Sequence, residues 1–374
     1  MASEVVALDA PVVAEALSVS VQAGVPVLLW GSPGTGKTSV VRALGESLGW
    51  PTEVVIGSIR EPADFAGLPV VIDGAVQMAP PLWARRLAAV DHGLLFLDEL
   101  TTAPPAVQAA MLRVVLERVV GDLPLPEGVR VVAAANPPEE AADGWQLSPP
   151  LANRLVHLDW PVDAKSVSRG IALGFPRPTS FVGTAPTDTQ WVAARAAVGA
   201  FLDVRPALVL DVPSVAEQAG RGWPSPRSWE AVACLLAACD AVGASEDART
   251  LLVLGAVGDG AGIEFLSWFA NMDLPDPEVV LADPDGFDLP ERSDRAFAVL
   301  SAVAAVAMSR GDGESWSAAW RVVERVADQA PDVAALAARS LANARPEGAT
   351  LPSGLLKMAP VLRAAGLIRA EGEP

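Results

Sequence analysis

A chain of 374 residues outgrows what one hydrophobic core usually organises, so two or three domains are expected. Apolar residues make up 51% of it, yet they never run uninterrupted for the ~18 positions a membrane-spanning helix needs, and an N-terminus with Glu4, Asp9 and no basic residue before Lys37 argues against a secretory or transit signal and places the chain in the cytoplasm. A formal charge of −18 disfavours general nucleic-acid binding, whose sequence-independent strength comes from neutralising phosphates.

Residues 9–24 read as a helix, with Asp9 as N-cap, Pro11 in the first turn and Gly24 as the stop. A buried apolar strand follows at 25–30, then a glycine-rich loop, then a helix at 38–48 that Gly49 ends. Apolar runs at 52–57, 94–97, 129–135 and 156–160 predict four more strands, with helices at 81–90 and 104–118 between them. Strands that are apolar throughout and alternate with helices predict an α/β fold, a mostly parallel sheet covered on both faces. Between the second strand and the helix that starts at Pro81, residues 68–77 carry Asp73-Gly74 flanked by β-branched side chains, a hairpin signal. A second, shorter hairpin is expected to turn at Gly121-Asp122.

Beyond Pro161 strand-like runs become rare and Ala-rich helical periods dominate. The Pro/Gly-containing stretch 174–186 reads as a linker, and the acidic, Pro-rich stretch 273–294 separates the middle helices from a terminal helical region. The domains expected are therefore an αβα unit at 1–165, an all-α unit at 187–272 and an acidic linker with a helical extension at 273–374. Residues 296–308 read as a buried helix, and Trp316, Trp320, Val323 and Ala327 share one helical stripe that suits a core. Cys234 and Cys239, the only cysteines, fall on different helix faces and read as small buried residues. His92 and His157, the only histidines, are read as structural, which leaves no His-based metal cluster or proton relay.

The loop Gly31-Ser32-Pro33-Gly34-Thr35-Gly36-Lys37-Thr38, leading on to Ser39, satisfies the pattern G-x-x-x-x-G-K-[ST] between a strand and a helix. Its glycines let backbone N–H groups turn toward phosphates, and the helix N-terminus adds its dipole. Lys37 neutralises the β- and γ-oxygens of a nucleoside triphosphate, ATP being the expected one, and Thr38 ligates Mg²⁺. Some sixty residues on, by the numbering, an apolar strand ends in Asp98-Glu99. Asp98 is placed to reach the Mg²⁺ shell opposite Thr38, and Glu99 to orient and polarise the attacking water.

With these residues in view, the segment from about Val25 to Leu158 resembles the AAA+ module of MoxR-type ATPases, a clade that includes magnesium-chelatase ATPase subunits and dynein-related domains. The resemblance rests on LLWGSPGTGKT, REPADFAGLP, PPLWARRL, GLLFLDELTTAPPAVQAAMLRVVLER, VVAAANPP and LANRL in that order. It equates the hairpin at Asp73-Gly74 with the helix-2 insert of that clade, and the turn at Gly121-Asp122 with a shortened pre-sensor hairpin. It implies that Asn136 is sensor 1, helping to hold the attacking water, and that Arg154 is the arginine finger reaching a neighbouring subunit's γ-phosphate. It also implies that Arg227, in the opening turn of a lid helix capped by Ser225 and Pro226, is sensor 2. Arg60, Glu61 and Asp64 lie in a stretch the family shares, with pore or subunit contacts as their expected use.

The same resemblance implies a homo-oligomer, a hexameric ring, in which hydrolysis turns lid against core and remodels a protein client, a von Willebrand A domain protein being the type of partner. Two other readings keep the P-loop: a motor on DNA, GTP-driven in some branches, and a scaffold that binds ATP only to assemble. Net charge weighs against the first, and Asp98, Glu99 and Asn136 against the second.

Overall fold

The computed structural model describes residues 10–349 apart from 138, 139, 141–143, 182, 272–274, 287–289, 291, 347 and 348. The expected cap Asp9 lies outside the described residues. Two compact units share the chain, one built from the residues up to 185 together with 207–266, the other from 186–206 and the residues from 267 onward.

The first unit opens with α1 (Ala10–Ala23), β1 (Val27–Trp30) and α2 (Lys37–Leu48), then β2 (Thr52–Ile56), the short α3 (Ala63–Ala66) and the hairpin β3 (Leu68–Ile72) with β4 (Ala75–Ala79). It continues with α4 (Leu82–Ala88), β5 (His92–Asp98), α5 (Pro105–Glu117), the small hairpin β6 (Val119–Val120) with β7 (Leu123–Pro124), and β8 (Gly128–Ala135). After α6 (Pro149–Ala152), β9 (Val156–Asp159) and α7 (Ala164–Leu173) the chain passes through α8 (Asp188–Val204), which belongs to the second unit. It returns to the first for α9 (Ala216–Ala219), α10 (Pro226–Val242) and α11 (Glu246–Val257), and α12 (Asp259–Ala270) leads out again.

Strands β2, β5, β8, β1 and β9 lie side by side in that order, and every neighbouring pair is parallel. The apolar runs had to be continuous because helices cover both faces: β1 is buried at all four positions and β5 at five of seven. Both hairpins form at their expected turns. Asp73 and Gly74 take φ of 52° and 79°, the left-handed pair a tight two-residue hairpin demands. Gly49 closes α2 in the same region, its N–H capping the carbonyls of Gly45 and Glu46.

In the second unit α13 (Pro277–Ala282), α14 (Ser293–Arg310), α15 (Gly313–Ala327) and α16 (Pro331–Asn343) pack around Trp316, Trp320 and Val323. The expected Trp stripe is therefore core, with Trp316 Nε1 donating to Leu341 O at 2.8 Å. The acidic stretch 273–294 is not only a connection, since Asp276 caps the short helix α13 inside it. Cys239 is buried as expected, whereas Cys234 is half-buried, and the two form no disulfide. Among the described residues no helix is long and apolar enough to cross a membrane.

Candidate nucleotide-binding site

Strand register brings the site together. Leu97 lies opposite Ala133, and Ala135 opposite Trp30. Glu99 is thus level with Trp30, and Gly31 and Asn136 leave the sheet one step later, side by side, with Gly31 N–H bonding Ala135 O at 3.2 Å. A parallel sheet delivers all of these chain ends to its carboxyl edge, where ligands of such folds bind.

The loop between β1 and α2 holds Gly34 and Gly36 at φ of 78° and 93°, and a methyl group built on either would meet no atom within 4 Å. Backbone conformation, not crowding, requires glycine there, and the open space in front of the amides is what a phosphate chain needs. Lys37, 7% exposed, points its ammonium back into the loop and donates to Gly31 O at 2.5 Å, Ser32 O at 3.0 Å and Asn136 Oδ1 at 3.0 Å. All three acceptors are neutral, and no carboxylate stands within ion-pair distance among the described residues. Burial lowers the Lys37 pKa, with Asp98 and Glu140 pulling the other way. A buried cation whose only partners are dipoles is costly, and a polyanion across the loop is the complement that removes the cost. From the end of β9, Trp160 Nε1 donates to Thr35 O at 3.0 Å and steadies the loop.

Thr38 Oγ1 donates to Asp98 Oδ2 at 2.8 Å, and Asp98 Oδ1 accepts from Glu99 N–H at 2.9 Å. A hydroxyl and a carboxylate at one point form a hard oxygen donor set, and it fits Mg²⁺ with the remaining positions left to phosphate oxygens and water. Glu99 sits at φ 58°, a left-handed conformation uncommon for a side-chain-bearing residue, and its Oε2 accepts from the Ser58 hydroxyl just beyond β2. Asn136, its carbonyl held by Thr101 Oγ1 at 2.9 Å, spends Oδ1 on Lys37, and its amide N–H groups bond no other of the described residues.

Arg154 and Arg227 stand elsewhere. Together they line a cavity of about 240 Å³ with Gly24, Val25 and Pro26, at the amino ends of β1 and β9. The four-residue β1 separates those ends from the P-loop by roughly 13 Å of strand. Neither guanidinium has a carboxylate partner among the described residues: Arg154 donates only to Pro150 O, and its buried Nε has no partner. Desolvation and then the Arg227 charge lower the Arg154 pKa. Arg60, Glu61 and Asp64 form a local turn, with an Arg60–Asp64 pair at 3.5 Å and Asp64 Oδ2 accepting from Glu61 N–H.

Two residues at the site carry no motif signal: Ser58 and Trp160 act through juxtaposition alone. His157 is fully enclosed, its Nδ1 accepting from Trp30 Nε1 at 2.9 Å and its Nε2 donating to Ala152 O at 2.9 Å. Over the same Trp30 ring lies the Arg221 guanidinium at 4.3 Å, which also pairs with Asp159 at 2.9 Å. His92 instead lies exposed against the Trp50 ring.

Parts of the chain are similar to known proteins. The Psp operon transcriptional activator of Escherichia coli (strain K12) is 35% identical over 123 residues, 30% of this chain and 37% of that protein. The "Pathogenicity locus probable regulatory protein WtsA" of Pantoea stewartii subsp. stewartii is 30% identical over 121 residues, 30% of this chain and 38% of that one. The chain thus spans less than two fifths of the length of the curated relatives it matches. A solved structure from Cytophaga hutchinsonii aligns at 16% identity with a TM-score of 0.43, over 64% of this chain and 79% of that one, too distant to bear on function. Residues 26–155 match the family described as AAA domain, dynein-related subfamily, and with the parallel sheet and the loop geometry this segment is an AAA domain.

Proposed function

We propose that the chain is an ATPase of the MoxR type that hydrolyses ATP with Mg²⁺ in a homo-oligomeric ring, a hexamer, and uses the cycle to remodel a protein client. The observation that carries it is the enclosed Lys37 ammonium, partnered only by neutral oxygens, beside Thr38–Asp98 and Asn136 at the mouth of α2. Thr38 and Asp98 would hold Mg²⁺, which supplies charge neutralisation on the β- and γ-oxygens. The amides of Gly34 to Thr38 and the Lys37 ammonium bind the triphosphate. Glu99, once released from the Ser58 hydroxyl, accepts the proton of the attacking water, and an Asn136 N–H positions that water.

Arg154 and Arg227 complete the site from the neighbouring subunit. Their place at the opposite edge of the sheet, with no carboxylate partner for either guanidinium among the described residues, supports a role in trans for both. A subunit alone then lacks the cations that stabilise the transition state, so turnover requires assembly. A client bearing a von Willebrand A domain follows from the MoxR likeness. The test is a turnover assay on Glu99→Gln: it should bind ATP like the wild type and release phosphate at least ~100-fold more slowly, whereas equal release would end the enzymatic reading.

A further inference from the structure

The residue before Arg154 ties it to the turn that carries Arg227. Asn153 is 6% exposed and both ends of its amide are used: Nδ2 donates to Trp223 O at 2.8 Å, and Oδ1 accepts from Ser225 Oγ at 2.6 Å. Ser225, 5% exposed, is also the N-cap of α10, accepting from Ser228 N–H at 3.2 Å while Ser228 Oγ accepts from Ser225 N–H at 2.8 Å. Ser228 Oγ donates in turn to Trp223 O at 2.9 Å. A buried, fully bonded network of this kind fixes one geometry, because breaking any member strands polar atoms away from water. It spans about 70 residues of sequence and joins the loop after α6 to the turn that opens α10.

The two arginines flank this network, Arg154 one residue beyond Asn153 and Arg227 two beyond Ser225. Like charges so placed repel, and no carboxylate among the described residues pairs with either of them, so their spacing has to be held by other contacts. We propose that Asn153 and Ser225 are positioning residues that lock Arg154 and Arg227 into a two-arginine clamp, so that both engage one phosphate group of the neighbouring subunit's nucleotide and move as a single body with α10. The proposal rests on the trans reading of the two arginines given above. Because neither Asn153 nor Ser225 touches the P-loop of its own subunit, their loss must be felt in the neighbour's active site.

The test uses Asn153→Ala, and Ser225→Gly as a variant that removes the hydroxyl while leaving a residue that a helix N-cap accepts. Both should bind a fluorescent ATP analogue as the wild type does, with unchanged KM. Their kcat should fall about 10- to 100-fold, the range that displacement of a catalytic group by an ångström produces. Ser225→Thr, which keeps the hydroxyl, should restore turnover. Mixing either variant with Lys37→Ala subunits, which have no working site but intact arginines, should recover activity at the variant's own sites. Arg154→Ala and Arg227→Ala mixed in the same way provide the reference. If they are not rescued, the trans reading itself fails; if they are rescued but Asn153→Ala is not, or if Asn153→Ala and Ser225→Gly turn over at the wild-type rate, the clamp is overturned.

Discussion

Replacing Gly36 by alanine separates the conformational and the binding roles of the P-loop. The residue sits at φ 93° and ψ 12°, where an L side chain is strained by about 1–2 kcal/mol, and no atom lies within 4 Å of the methyl group it would gain. The stability loss is therefore strain alone, and for a unit of this size it amounts to a fall in Tm of roughly 2–8 °C. Binding suffers far more, because the methyl occupies the space in which a phosphate oxygen must approach the loop amides. Loss of two charge-assisted hydrogen bonds at ~1.5 kcal/mol each is on the order of a 100-fold rise in Kd for ATP. Differential scanning calorimetry and titration calorimetry on the same preparation measure both quantities. Wild-type affinity in a protein that melts earlier would show that the open face of the glycine loop is not where the triphosphate rests.

The Ser58 hydroxyl holds Glu99 away from its task, so Ser58→Ala should raise basal phosphate release about threefold, the value of one modest hydrogen bond, while an unchanged or lower rate would mean that Glu99 works from its present position. His157 gives a pH signature: enclosure lowers its pKa from 6.5 to about 4, so the unfolded chain takes up a proton first on acidification. Stability is therefore intact above pH 6.5 and is lost as pH falls toward 4, by about 3 kcal/mol for that shift. Urea titrations across this window should show the slope in the wild type and a flatter one in His157→Gln, and identical slopes would assign the acid sensitivity to carboxylates. Trp160→Phe deletes the Nε1–H bond to Thr35 O and should cost about 1 kcal/mol of stability; equal urea midpoints would show that the bond does not buttress the loop.

The sheet was legible because its three central strands, β5, β8 and β1, are largely buried and read as apolar runs, and the glycine loop because its chemistry needs a fixed residue order. Strand ends moved by a residue or two: the run 94–97 extends to His92–Asp98, since the exposed ends of a strand carry no apolar signal. The places of Arg154 and Arg227 were not legible in the same way. A motif assigns a residue type to a role, but where Arg227 points depends on α10 packing against its neighbour α11 and against α1, some two hundred residues away by the numbering. What Ser58, Asn153 and His157 bond to was hidden for the same reason. Each is an ordinary residue in the sequence and gains its part only when register or helix packing brings a partner within 3 Å.

The central claim is a triphosphate on the amides of Gly34 to Thr38 with Mg²⁺ between Thr38 and Asp98. A crystal structure of the Glu99→Gln protein grown with ATP and Mg²⁺ tests it most directly. The account predicts γ-phosphate density beside Lys37 and Asn136, and Arg154 and Arg227 of the adjoining subunit facing it. Nucleotide bound at any other surface, or none at saturating concentration, would contradict it.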